Sequence, residues 1–298
     1  MSLLIETFLT SLAVLLRILS NPLGNVFQKK LTAKNNHPLV VNFLTYLLLS
    51  VVCIFILIGL HRQVLPLQFW VYSILAGIAG ATGNGFLVKA LHKGDLSVLG
   101  PINSYKSLIS IVLAIFLLKE IPGIGGIIGV FLIIYGSYFV LDTTPERFTW
   151  ALLKKSEIKY RIWAMILTAI EAVFIKKIIL SSSVTYAFIS WCWFGALFSF
   201  LLLFIYRLDL KREIIKSTSA NFSKYFFLVV CIGTMQFTTN YAFDHLQVGY
   251  ALSLFQLSTL VSVFFGHRFF KEQDIQKKLI GTFIMIAGSI IIILFQNH

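Results

Sequence analysis

Four ionisable side chains fall inside long apolar stretches of this 298-residue chain: Arg17, Lys89, Lys106 and Glu171. Such a side chain near the centre of a bilayer costs roughly 2.5–3.5 kcal/mol or more, so each one needs a partner, water or a function. Three cations against one carboxylate leave a positive surplus. The surplus favours an anionic or zwitterionic ligand.

Lys106 is our first candidate for a substrate-binding cation, with Asn103 and Tyr105 beside it in the sequence. The alternative is that Glu171 neutralises Lys106 and the pair only joins two helices. Arg17 can clamp a carboxylate or phosphate with two parallel hydrogen bonds, or it can pair with Glu171.

Lys89 lies nearer the end of its stretch, where it either contacts a substrate or extends its amine to the membrane interface. Glu171 is the candidate for proton coupling, because desolvation and neighbouring cations shift the proton affinity of a carboxylate in opposite directions. The alternative for Glu171 is a structural ion pair.

Amide and aromatic side chains at membrane depth are further candidates for orienting a polar substrate. They are Asn84, Asn240, Gln256, Tyr241 and Trp191. Hydrogen bonding between helices, packing or interfacial anchoring is the alternative for each. The chain shows no P-loop, catalytic triad, paired-carboxylate site or metal-ligand spacing, so we predict neither an enzyme nor a bound cofactor or metal.

The composition requires lipid around most of the surface, since the chain is 58% hydrophobic and 12% charged with a mean hydropathy of +0.87. Soluble domains carry roughly 25% charged residues. Ten stretches have the ~20 residues that a helix needs to span a bilayer. We predict spans at 5–28, 39–60, 67–91, 96–118, 123–141, 162–180, 184–206, 224–245, 248–270 and 278–296.

An internal duplication organises these spans. Residues 90–137 reappear at 242–289, a constant 152 positions later, and Phe27-x-Lys29-Lys30 matches Phe174-x-Lys176-Lys177 at an offset of 147. Each copy has five spans, an odd number, so the second copy enters the membrane from the opposite side. We predict one all-α membrane domain, 1–298, of two inverted five-helix repeats: about 1–141 and about 161–298, with a linker at about 142–160.

The net charge of +13 does not indicate nucleic acid, because its distribution follows membrane topology. Eighteen of the 25 Lys and Arg side chains, Arg161 among them, lie on one set of alternate span ends, and four lie on the other. Cytoplasmic loops accumulate Lys and Arg. The bias predicts an inner-membrane protein with both termini outside the cytoplasm.

The ten-span length, the duplication and the ends of the fourth and ninth spans together resemble the drug/metabolite transporter superfamily, EamA type. The segments that carry this likeness are Asp95–Pro101, Phe116–Glu120 and Gly129–Gly136, with their echoes Gly249–Leu252, Phe269–Glu272 and Gly281–Gly288. The resemblance implies that helices one to four and six to nine surround a central cavity, with helices five and ten at the periphery.

Two relatives within that superfamily bear on the candidate residues. Lys106 is similar in position to the lysine with which nucleotide-sugar transporters meet a phosphate, but their Gly-Ala-Leu-Asn-Lys run is absent here, so nucleotide sugars are not favoured. Small multidrug resistance proteins place a glutamate in their first helix, whereas Glu171 aligns with Gly24. The family proline of helix four is Ser107 here, and ten-helix members keep both termini in the cytoplasm, contrary to the charge bias.

Three functions compete. The first is a secondary transporter that moves a small polar metabolite, anionic or zwitterionic, by alternating access, as a monomer or homodimer in the lipid bilayer. The second is a proton-coupled exporter of cationic compounds centred on Glu171. The third is a membrane scaffold or flippase accessory that transports nothing, in which Lys106 and Glu171 pair without a cavity between them.

Overall fold

The computed structural model describes residues 2–33, 36–60, 63–105, 109, 124–144, 150–208, 221–246 and 248–295. Their helices are α1 (Ser2–Thr32), α2 (Pro38–Ile58), α3 (Leu67–Lys93), α4 (Leu96–Leu99), α5 (Ile124–Leu141), α6 (Trp150–Lys154), α7 (Ser156–Ser181), α8 (Val184–Ile205), α9 (Phe222–His245), α10 (Val248–Phe255), α11 (Ser258–Phe270) and α12 (Ile275–Phe295). A short 3-10 turn, Pro101–Ser104, follows α4.

The prediction of an all-α membrane protein with two five-helix repeats is confirmed. By length and apolarity alone, six helices of the described ranges can cross a membrane: α1, α2, α3, α5, α8 and α9. The helices α7 and α12 have the necessary length but carry charged residues. Of the fourth predicted span, 96–118, the description covers only 96–105 and residue 109.

The fourth and ninth spans are each interrupted inside the bounds that we predicted. Pro101 opens the 3-10 turn after α4, where a missing N–H does least harm. In the ninth span, the N–H of Leu257 donates to the carbonyl of Leu254, three residues back, and separates α10 from α11. At the offset of 152, Gln256 and Leu257 correspond to Ser104 and Tyr105, so the break in the ninth span lies where the 3-10 turn of the fourth span ends.

The contact between α5 and α12 shows that the repeats are inverted. A Cβ at Gly136 would lie 2.6 Å from the carbonyl oxygen of Gly281, and one at Gly288 would lie 2.7 Å from that of Gly129. Positions 136 and 288 are repeat equivalents, as are 129 and 281. Since the lower-numbered glycine of α5 meets the higher-numbered glycine of α12, these equivalent helices run antiparallel. Backbones in membranes approach this closely only at small residues.

The glycines of α3 pack against helices of the second repeat. A Cβ at Gly77 would lie 2.5 Å from Phe194 Cβ of α8, and one at Gly83 would lie 3.1 Å from Leu167 Cβ of α7. The helices α1 and α9 form the equivalent contact in the other half of the molecule. The close α3–α7 and α1–α9 pairs leave a cavity between them.

Candidate functional site

A polar cavity of about 100 Å³ lies where α1, α3, α7, α9 and α10 meet the 3-10 turn. One water needs ~10–15 Å³ on this measure, so the space holds several waters or part of a small solute. Its polar lining is Arg17, Asn21, Asn25, Asn84, Asn103, Arg161, Thr168, Glu171, Gln236 and Thr239. The two guanidinium groups and one carboxylate leave a net positive charge among these residues.

Six pairs among the lining residues are repeat equivalents, which locates the cavity on the pseudo-two-fold axis. At the offset of 147 the pairs are Arg17 and Ala164, Asn21 and Thr168, and Asn25 and Ala172; at the offset of 152 they are Asn84 and Gln236, Leu87 and Thr239, and Asn103 and Phe255. Ser104 and Gln256, also 152 apart, contact each other directly, with 3.4 Å between the hydroxyl and Oε1. Equivalent residues meet in this way only near a two-fold axis.

Arg17 lines this cavity and has one donor without a partner among the described residues. Its Nε donates to Thr239 Oγ1 at 3.1 Å, and its guanidinium lies 4.6 Å from the ring centroid of Phe255. Its Nη1 is buried and has no hydrogen-bond partner among the described residues. A buried, unsatisfied donor on a cation is costly, and a bound anion would satisfy it.

Arg161 is a cavity residue that sequence reasoning missed, because it closes a run of basic residues that we assigned to a loop. It lies on α7 instead, which begins at Ser156 inside the predicted linker. Its Nε donates to the carbonyl of Leu99 at 2.8 Å, and its Nη2 donates to Asn103 Oδ1 at 3.0 Å. The 3-10 turn frees the Leu99 carbonyl, since the Asn103 N–H donates to Gly100 instead. Arg161 therefore stabilises the break in the fourth span.

The spacing of the cavity-lining residues along α7 indicates Arg161. Cavity-lining residues of α7 recur at 161, 164, 168, 171 and 175, which is the spacing of one helix face. When Arg161 is left out, 17 instead of 18 Lys and Arg side chains lie on one set of span ends, against four on the other.

Glu171 is buried in the cavity wall and held in place from two sides. The indole Nε1 of Trp191 donates to its Oε1 at 2.6 Å. On the other side, Gly80 of α3 lies so close that a Cβ there would be 2.1 Å from Oε1. Tyr46, a second residue that we did not predict, packs on Trp191 with ring centroids 4.6 Å apart.

The repeats show why α7 can carry a glutamate where α1 carries a glycine. In the α1–α9 pair, the small residue is Gly24 and a Cβ there would lie 2.7 Å from Ile232 Cδ1. In the equivalent α3–α7 pair, the small residue is Gly80, and Glu171 fills the space that it leaves. Small and large side chains have exchanged between equivalent helices.

The structure brings four predicted site residues together at the cavity: Arg17, Asn84, Asn103 and Glu171. The Nδ2 of Asn84 also donates to the hydroxyl of Tyr46 at 2.6 Å, which links it to the Trp191 side of Glu171. Lys106 lies outside the described residues, so its predicted role stays a prediction.

Other predicted residues lie outside the cavity lining. Lys89 sits 3.8 Å from the ring centroid of Tyr206 near the end of α3. Tyr105 packs beside Ile133, Val140 and Met285.

Gln256 bridges the two helix breaks, donating from Nε2 to the Asn103 carbonyl at 3.4 Å. The Asn240 and Gln236 amides are 2.9 Å apart. Tyr241 stacks on His245 with ring centroids 4.2 Å apart.

Both repeats are similar to the same family of known proteins. The model of the EamA-like transporter family matches this chain twice, at residues 9–142 and 156–294, once for each repeat. The chain belongs to the EamA-like transporter family. The EamA match to the second repeat begins at 156, where α7 begins.

Two similar proteins add to the EamA assignment. An uncharacterized protein of Methanocaldococcus jannaschii is 30% identical over 114 residues, which cover 38% of this chain and 82% of the relative. That relative therefore has about the length of one EamA repeat. A solved crystal structure covers 98% of both chains with a TM-score of 0.64 at 15% identity, a likeness that shows the fold alone.

Proposed function

We propose that this protein is a secondary active transporter of a small polar metabolite, anionic or zwitterionic, which binds in the central cavity during alternating access. Membership of the EamA-like family supports a membrane transporter. The observation that carries the substrate charge is the Arg17 guanidinium, whose Nη1 is buried at the cavity without an acceptor among the described residues.

The two arginines of the cavity differ in how many of their hydrogen-bond donors have partners. Arg161 already donates to Leu99 and Asn103 and so has a structural task. Arg17 keeps a donor unused, and a carboxylate or phosphate oxygen is the strongest acceptor that it can find. The amides of Asn21, Asn25 and Asn84 line the same space and supply groups for orienting the rest of the solute.

Uptake into proteoliposomes tests this function. Purified protein is screened by thermal shift against a metabolite panel, since a ligand of the folded state raises its apparent stability, and each hit is then assayed for transport. Arg17→Gln should abolish uptake of an acidic hit while the protein stays folded. The matched control is Lys177→Gln, which removes a cation 4.9 Å from the Tyr72 ring centroid and away from the cavity lining. Unchanged uptake in Arg17→Gln would refute the assigned site, and no uptake of any compound would favour the scaffold hypothesis.

A second candidate is a proton-coupled exporter of cationic compounds. The burial of Glu171 in the cavity wall, with Trp191 as a hydrogen-bond donor, favours it. It predicts that cationic drugs release protons from the protein, that Glu171→Gln abolishes this release, and that Arg17→Gln does not. Substrate-induced proton release that needs Arg17 instead would contradict it.

We also propose an orientation from the distribution of Lys and Arg. The end of the molecule with Lys29 and Lys93 faces the cytoplasm of an inner-membrane protein, and both termini lie outside. A reporter active only outside the cytoplasm, fused to the C-terminus, should be active. An inactive reporter, with activity recovered after an added spanning helix, would reverse the orientation.

A further inference from the structure

The polar stripe that α1 presents to the cavity continues past it toward the end of the helix. Asn25 lines the cavity, Gln28 follows one turn later and Lys29 comes next. Asn25 Oδ1 and Gln28 Oε1 are buried, with side chains only 6% and 4% exposed, and have no hydrogen-bond donor among the described residues. Buried acceptors without donors are rare and call for an explanation.

An ion pair lies where this stripe ends. Lys29 Nζ donates to Glu272 Oε1 at 3.0 Å and to the Gly94 carbonyl at 2.9 Å. Glu272 also accepts the N–H groups of Leu96 and Ser97, at 2.9 and 2.8 Å, and the Ser97 hydroxyl. This one carboxylate therefore joins the end of α1, the start of α4 and the connection between α11 and α12.

The opposite end of the molecule differs at one equivalent place among the described residues. At the Lys29 end, Glu157 packs on Gly94, where an added Cβ would lie 3.2 Å from Glu157 Cβ. The repeat equivalents of these residues are Thr10 and Leu246. They line a pocket of about 410 Å³ and do not form the same contact. At this place, the described parts of the two ends therefore do not follow the repeat symmetry.

We propose that Lys29 and Glu272 form a latch, which closes the cavity at the Lys29 end and opens when the substrate passes to that side. The proposal rests on the alternating-access function given above. When the latch opens, α1 separates from the α11–α12 connection, and water reaches Asn25, Gln28 and the N–H groups at the start of α4. In this open state, the acceptors of Asn25 and Gln28 line the substrate pathway at the Lys29 end.

Thiol accessibility without substrate tests the latch. A single reporter, Gln28→Cys, is introduced after Cys53, Cys192 and Cys231 have been replaced, and sealed vesicles are treated with a membrane-impermeant maleimide on the Lys29 side. Glu272→Gln and Lys29→Met should each raise the labelling rate about tenfold, since each removes a charge-assisted contact of the closed state. The double variant should label no faster than the faster single variant, because both changes break one pair.

The matched control is Asp142→Asn, which breaks the ion pair between Asp142 and Lys277 at the peripheral α5–α12 pair. It should leave labelling of Gln28→Cys unchanged. Folding of every variant is checked by size-exclusion chromatography, and Ser97→Ala provides a milder change, expected to raise labelling less than Glu272→Gln.

Unchanged labelling in both single variants, or an equal rise in Asp142→Asn, overturns the latch. Because no substrate is added, a failed uptake assay leaves this result unaffected, and the two proposals fail separately.

Discussion

Replacing Gly80 with alanine is the sharpest test of how Glu171 is held. The new methyl carbon would lie 2.1 Å from Glu171 Oε1 and 2.8 Å from its Cδ. To reach even a tight contact of 3.0 Å, the carboxylate must move by at least 0.9 Å, the difference between 3.0 and 2.1 Å. If the carboxylate moves away from Trp191 by that distance, the 2.6 Å hydrogen bond from Nε1 lengthens to about 3.5 Å, beyond the ordinary range.

The magnitude follows from two opposing effects. A hydrogen bond to a charged group contributes ~1.5–3 kcal/mol, whereas alanine is better than glycine in a helix by ~0.8–1.0 kcal/mol. We therefore expect Gly80→Ala to lower the free energy of unfolding by about 0.5–2 kcal/mol. The matched control is Gly24→Ala at the equivalent contact, where the nearest atom is the flexible Cδ1 of Ile232 at 2.7 Å. No hydrogen bond is lost there, so the change should be close to zero.

Reversible unfolding in detergent, with Glu171→Ala as the second mutation of a double-mutant cycle, measures this effect. Without the carboxylate, Gly80→Ala should be neutral or stabilising, which corresponds to a coupling free energy of at least ~0.5 kcal/mol. Equal effects of Gly80→Ala and Gly24→Ala, together with a coupling of zero, would refute the placement of Glu171 against α3.

Three further predictions test other contacts. Arg161→Met should lower the free energy of unfolding by about 1–3 kcal/mol, because the Leu99 carbonyl loses its donor. Hydrogen exchange of the backbone amides of Gly100, Asn103 and Ser104 should accelerate, and unchanged exchange would contradict the structural role of Arg161. Gly281→Ala should separate α5 from α12, since its Cβ would lie 2.5 Å from the Gly136 carbonyl oxygen. Cross-linking between cysteines placed on these two helices should then fall, and unchanged cross-linking would contradict the prediction. Burial raises the pKa of Glu272, but Lys29 and the hydrogen bonds from Ser97 lower it more, so the pKa lies below 4.5. Asp95, Asp274 and Lys278 also face the latch. The latch should therefore hold above about pH 4.5 and release only in stronger acid. A rise in maleimide labelling between pH 7 and pH 5 would contradict this prediction.

The fold could be predicted because the lengths of the apolar stretches and the constant offset between the two repeats follow from the order of residues alone. Of the two breaks, the one in the fourth span is marked in the sequence by Pro101. The second has no proline, and only the turn at Leu257 shows it. Spans were therefore found more reliably than their interruptions.

The candidate site was predicted in part, because the direction of a side chain depends on helix rotation. Asn84 and Leu87 line the cavity, and Lys89, two positions beyond Leu87, is turned by roughly 200° away from it at 3.6 residues per turn. Asn240 and Gln256 each follow a lining residue by one position and are turned by roughly 100°. Depth in the membrane follows from counting residues, whereas rotation about the helix axis needs the neighbouring helices.

The charges of the cavity all depart from the symmetry that builds it. Arg17 is equivalent to Ala164, Arg161 to Val14 and Glu171 to Gly24, so each charged residue has an uncharged counterpart. If the repeats exchange conformations, the closed end moves from one side of the membrane to the other, but the three charged residues stay where they are in the chain. The solute would then meet the same Arg17 in both states, and only the path to it would change. The Arg17→Gln variant should consequently weaken binding from both sides of the membrane by a similar factor, whereas Glu272→Gln should change access from one side only.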